Sequence, residues 1–78
     1  MPHVVVKLYS GRSDKQKTEL AEAITKAVMT TLNHSEEAVS VGIEDIKPDD
    51  WVEKVFRPDI LGKPMTIFKK PGYDPLKK

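Results

Sequence analysis

A chain of 78 residues allows one domain over 1–78, and a lone copy of that size buries only about 60% of the surface its unfolded form exposes. It has no cysteine, so disulfides and thiolate metal sites are excluded, and two dispersed histidines offer no metal cluster; association with further copies is the expected supplement. Lys and Arg total 13 against 12 for Asp and Glu, a net charge of +1 with the extra lysines gathered in the closing KKPGYDPLKK, which excludes a nucleic-acid stripe. No apolar run exceeds three residues and no basic-then-apolar leader opens the chain. The expectation is a soluble, cytoplasmic protein with neither nucleic acid nor membrane as partner.

In the opening PHVVVKLYS, Val4, Val6 and Leu8 alternate with His3, Val5, Lys7 and Tyr9. Period two with β-branched residues predicts a strand. Gly11 breaks it, and Ser13 with Gln16 three residues on forms a capping-box signature. The helix predicted from there runs from about Asp14 to Leu32, with Leu20, Ala23, Ile24, Ala27, Val28 and Leu32 as its apolar stripe and Asn33 as a left-handed stop. AVSVGIEDI alternates again, with Val39, Val41 and Ile43 opposite Ser40, Gly42 and Glu44. Two strands joined through a helix of that length are most simply parallel, so residues 2–46 read as one βαβ unit.

After KPDD, Asp49 or Asp50 caps a shorter helix through WVEKVF, ending before Pro58 and burying Trp51, Val52, Val55 and Phe56. Residues 64–70 stay open: Pro64 suits a first helical position, whereas MTIF suits a strand. A two-stranded sheet with a helix on one face leaves the other face and both edges uncovered, which again points to pairing between copies.

Pro2 carries the chemical interest. Aminopeptidases remove Met1 ahead of a small residue, and the chain would then begin with a free secondary amine. An α-amino group titrates near ~8; apolar surroundings and a nearby guanidinium such as that of Arg12 both disfavour its charged form. A neutral amine of that kind suits proton transfer between carbon and oxygen. The bland alternative is a proline that opens a strand, which strands tolerate.

The opening MPHVVVKLYSGRSDKQK, the βαβ pattern behind it and the chain length resemble the 4-oxalocrotonate tautomerase family, whose members begin the mature chain with a catalytic proline. GRSDKQK is similar to that family's strand-to-helix turn, with an arginine at the same distance from the proline. KPDDWVEKVFRPDILGKPMTIFKKPGYDP resembles the longer-tailed branch of small bacterial tautomerases. The resemblance implies an α/β protein of the β-α-β tautomerase fold with a short C-terminal helical segment, its sheets completed in a homo-oligomer, a dimer in preference to a hexamer. It implies keto–enol isomerisation of a small-molecule 2-oxo acid without metal or organic cofactor. Pro2 would be the general base and proton carrier, and Arg12 would hold the substrate carboxylate through its planar fork. Trp51 would supply an aromatic wall, unless it serves only as the core anchor of the second helix.

One position departs from the pattern. The family's best-known members carry a second arginine in the second strand, and Ser40 stands there in this chain. A monocarboxylate enol such as an aryl- or alkyl-enolpyruvate therefore fits better than a dicarboxylate. Two other readings use the same residues: a hydratase or dehalogenase of unsaturated acids, which needs a carboxylate near the amine, and a non-enzymatic oligomeric binding module, which a retained Met1 would favour. Lys54 and Arg57 read as surface cations, Glu44 and Asp45 as a solvated strand end, His3 and His34 as lacking a triad, and Tyr73 as packing locally.

Overall fold

The structure is a computed structural model that describes residues 1–77. The chain divides into two compact units, Met1–Asp45 and a second from Ile46 onward.

The first unit is the βαβ element. Strand β1 is His3–Tyr9, helix α1 is Asp14–Leu32, a single 3₁₀ turn covers Glu36–Ala38, and strand β2 is Ser40–Ile46. The helix begins and ends where its caps dictate. The Ser13 hydroxyl accepts the Gln16 N–H at 3.1 Å and the Gln16 side chain accepts the Ser13 N–H at 3.1 Å, so two otherwise unpaired donors are satisfied reciprocally. At the other end Asn33 turns left-handed, φ 58°, and its N–H reaches the Met29 carbonyl. Gly11 takes φ +120° in the turn between β1 and α1, a conformation a side chain rarely adopts.

β1 and β2 pair in one sheet, two-stranded among the described residues. They run parallel, because the start of one meets the start of the other: the Ser40 N–H donates to the Pro2 carbonyl at 3.1 Å. Val4, Val6 and Leu8 are half-buried while Val5 and Tyr9 on the opposite face are about half exposed, as the alternation predicts. The outward face of the sheet thus has no layer over it within this unit.

The stripe on α1 is narrower than its sequence pattern. Ile24 and Val28 are half-buried together with Lys17, Ala21, Thr25 and Met29, but Leu20, Ala23, Ala27 and Leu32 are exposed. Two strands about 4.8 Å apart cover only the middle of a helix ~10 Å across. Ala23 and Ala27 fall on its flank, and Leu32 lies in the final turn.

In the second unit a 3₁₀ turn, Pro48–Asp50, leads into a π-helix, Val52–Leu61, followed by a 3₁₀ turn at Pro64–Thr66. The predicted stop before Pro58 is corrected: the helix passes through Pro58 and ends at Leu61. An α-helical proline ring meets the carbonyl four residues back; the wider π turn, bonding five residues back, changes that approach. The Gly62 N–H closes the helix on the Arg57 carbonyl at 2.8 Å, and a Cβ at Gly62 would stand 2.6 Å from the Pro58 carbonyl oxygen, which only glycine tolerates. Residues 64–70 follow the first of their two readings, with Pro64 opening a short turn and no strand; Met65 and Phe68 point into solvent. Val55 and Phe56 are the buried residues among those described, with Trp51 and Val52 half-buried beside them in sequence.

Candidate active site

The chemistry-bearing residues of the first unit gather at the two ends of β1. At its start, the half-buried Pro2 is preceded by a fully exposed Met1. Its carbonyl is pinned by the Ser40 N–H, as above, and the next residue makes a second link between the same strands: His3 Nδ1 lies 2.7 Å from Ser40 Oγ. Either partner can donate in that bond, according to the imidazole tautomer. The prolyl ring therefore sits beside a strand start tied to Ser40 by one backbone and one side-chain hydrogen bond, next to an exposed hydroxyl–imidazole pair.

At the other end, Arg12 is exposed between the Gly11 turn and the Ser13 cap. It lines a cleft of about 210 Å³ with Leu8, Gln16, Lys17 and Leu20, two leucines facing three polar side chains at the start of α1. Lys17 is the ordered cation of that group. Its ammonium donates to Asp45 Oδ2 at 3.0 Å and lies 3.6 Å from Asp14 Oδ1, and only 22% of its side chain is exposed. The hydrogen bond to Asp45, with the charges of Asp45 and Asp14 behind it, holds the Lys17 ammonium above the ordinary lysine range. Lys17 is thus committed to tying the first turn of α1 to the end of β2, which leaves Arg12 as the guanidinium on the cleft.

Pro2 and Arg12 do not meet within one copy. β1 alone contributes about 20 Å of strand between them, well beyond the reach of a side chain.

Trp51 belongs to the second unit and has a packing role there. Its indole N–H donates to the Tyr73 hydroxyl at 3.0 Å, and the Tyr73 ring stands 5.8 Å from that of Phe56 at 45°. The local packing expected of Tyr73 is therefore present, and it involves the one tryptophan. Lys54 and Arg57 are surface cations as expected, paired one turn back with Asp50 at 3.4 Å and Glu53 at 2.9 Å. Asp45 departs from the reading of a merely solvated strand end, since it is the partner of Lys17. The link between His3 and Ser40 has no local sequence signal; it follows from the parallel register, which sets residues 3 and 40 side by side at the strand starts. Among the described residues no three His, Asp or Glu side chains gather as a metal ion would require, and no helix is long and apolar enough to cross a membrane.

Comparison with known proteins connects this arrangement to an enzyme family. A family model described as tautomerase enzyme matches residues 2–56. A probable tautomerase of Xylella fastidiosa is 41% identical over 76 residues, covering 97% of this chain and 93% of its own. Tautomerase PptA of Klebsiella pneumoniae is 40% identical over 74 residues, covering 94% and 97% respectively. The crystal structure of TomN, a 4-oxalocrotonate tautomerase homologue of a tomaymycin biosynthetic pathway, superposes with a TM-score of 0.63 at 40% identity, over 64% of this chain and 77% of that one.

Proposed function

The chain belongs to the tautomerase family of isomerases, and on that premise we propose that it interconverts the enol and keto forms of a small 2-oxo acid, with the amine of Pro2 as general base and proton carrier. The observation that carries the reading is the setting of Pro2. Its ring opens β1, its carbonyl is held by the Ser40 N–H at 3.1 Å, and the residue ahead of it is a fully exposed Met1 whose removal frees the nitrogen. A secondary amine in a ring on a fixed backbone has one direction in which to take and return a proton.

In the reaction the neutral amine removes the enol hydroxyl proton and the resulting prolinium protonates C3. A positioned base of this kind contributes roughly 10²–10⁴-fold, and orientation of the substrate adds to that. Arg12 holds the carboxylate, for which a permanently charged planar fork is suited. Because Pro2 and Arg12 occupy opposite ends of one strand, a site that uses both takes its arginine from a second copy. The uncovered outward face of the sheet, bearing Val5 and Tyr9, is the surface through which copies would associate. With Ser40 in place of a second arginine, the favoured substrates carry one carboxylate, as an arylenolpyruvate does.

The test compares three forms of the protein in the ketonisation of an arylenolpyruvate: the processed chain with N-terminal Pro2, the same chain with Met1 retained, and Pro2→Ala. Retained Met1 turns the nitrogen into an amide that cannot accept a proton, so turnover should fall to the buffer rate. Pro2→Ala keeps a primary amine of different basicity and direction, and should lose most of kcat with the fold intact. Equal turnover in all three would remove the proposal.

A further inference from the structure

The corner where β1 and β2 begin contains a polar pair that the fold does not need. His3 and Ser40 are both exposed, and a hydrogen bond between exposed side chains adds little to stability because water replaces either partner. The pair is nonetheless short, 2.7 Å, and the backbone of Ser40 is locked to the prolyl carbonyl at 3.1 Å. Its two residues alternate with the half-buried Val4 and Val41, so both side chains leave the sheet on the face away from α1, the face of Val5 and Tyr9.

We propose that Ser40 Oγ, oriented by His3 Nδ1, is the contact for the oxygen at C2 of the substrate; the inference rests on the reading of Pro2 as the base and specifies what lies beside it. When Nδ1 carries the hydrogen it donates to Ser40 Oγ, and the serine O–H is left to donate outward. A 2-oxo acid whose carboxylate is held by Arg12 of another copy has one further polar atom, its C2 oxygen, and the enol hydroxyl must lie against the prolyl nitrogen for its proton to be taken. In ketonisation that proton passes to the prolyl nitrogen, the O–H electron pair becomes the C2–O π bond, and the C2–C3 π pair takes the proton returned by prolinium at C3. Ser40 exchanges no proton. It donates to the C2 oxygen while charge accumulates there, which stabilises the transition state more than the ground state. A neutral hydroxyl at this place also leaves a second carboxylate uncompensated, so it selects for acids with one. His3 acts through Ser40 and is a positioning residue.

The experiment has a kinetic arm and a binding arm. In the first, Ser40→Ala should lower kcat for an arylenolpyruvate by about 100-fold, the lower end of what loss of an oxyanion donor costs, and Ser40→Thr, which keeps the hydroxyl, should retain most of it. His3→Leu should lower kcat with little change in KM, and His3→Asn, which keeps a hydrogen-bonding atom near the position of Nδ1, should restore it. In the second arm, the binding of 2-hydroxy-3-phenylpropanoate and of 3-phenylpropanoate is measured directly by titration calorimetry, without substrate. The hydroxy acid should bind the wild type about fivefold to tenfold more tightly, and Ser40→Ala should erase that preference. Unchanged kcat and unchanged preference in Ser40→Ala would overturn the proposal, as would an equal loss of affinity for both acids. The binding arm needs no turnover, so a Pro2→Ala protein that reacts normally would remove the general-base reading while the preference for the hydroxy acid still judged Ser40 by itself.

Discussion

Replacing Phe56 by alanine should damage the second unit in a way that can be separated from its hydrogen bonding. Phe56 is only 4% exposed, and Val55 is the other buried side chain among the described residues, so the ring accounts for much of what this unit removes from water. Truncating a buried phenylalanine costs about 3–5 kcal/mol; of that, the tilted contact with Tyr73 at 5.8 Å accounts for roughly 0.5–1.5 kcal/mol. A loss of about 3 kcal/mol is expected, the lower end, because the surrounding half-buried groups can close part of the gap. Tyr73→Phe is the control. It keeps the ring contact and removes the acceptor of the Trp51 indole N–H, and with Tyr73 48% exposed, water can replace the lost partner. Its cost should be about 0.5 kcal/mol. Urea unfolding followed by the fluorescence of Trp51, the single tryptophan, reports on this cluster. All variants are compared at one protein concentration, since association would tie the midpoint to it. A Phe56→Ala protein within about 1 kcal/mol of wild type, or a Tyr73→Phe protein as destabilised as Phe56→Ala, would refute the account of this core.

Arg12→Ala should raise KM and lower kcat/KM for acid substrates, with Arg12→Lys restoring only part because the fork is lost; unchanged steady-state kinetics would return Arg12 to the surface. The Lys17 ammonium is held above its ordinary range by Asp45, so its folded-state value exceeds the unfolded one. Its contribution is complete below the unfolded value, near ~10.4, and is lost as pH rises through the folded value. Unfolding midpoints of the wild type should accordingly fall more steeply above that pH than those of Lys17→Met, and parallel profiles would contradict the assignment. Sedimentation at micromolar concentration should detect at least a dimer, and Val5→Lys on the outward face of β1 should weaken it; an active monomer would contradict a site shared between copies.

What the sequence determined by itself is local. Ser13 and Gln16 set the start of α1 and Asn33 its end, because capping bonds join residues at most five apart, and the alternation from His3 to Tyr9 follows from a backbone period of two. Pro2 and Arg12 were legible for the same reason, as a pattern within the first dozen residues that resembles a known family. Contacts that depend on how β2 lies against β1 were not legible. The pairing of Ser40 with Pro2 and His3 joins residues 37 or more apart, and the bond from Lys17 to Asp45 spans 28; each requires a strand register that no stretch of sequence encodes alone. The path of the second helix through Pro58 belongs with them. Proline's missing donor and bulky ring argue locally for a stop. Packing of Val55 and Phe56 is the kind of tertiary gain that overrides such local preference, since burial of apolar surface outweighs one absent hydrogen bond once the turn is wide enough to admit the ring.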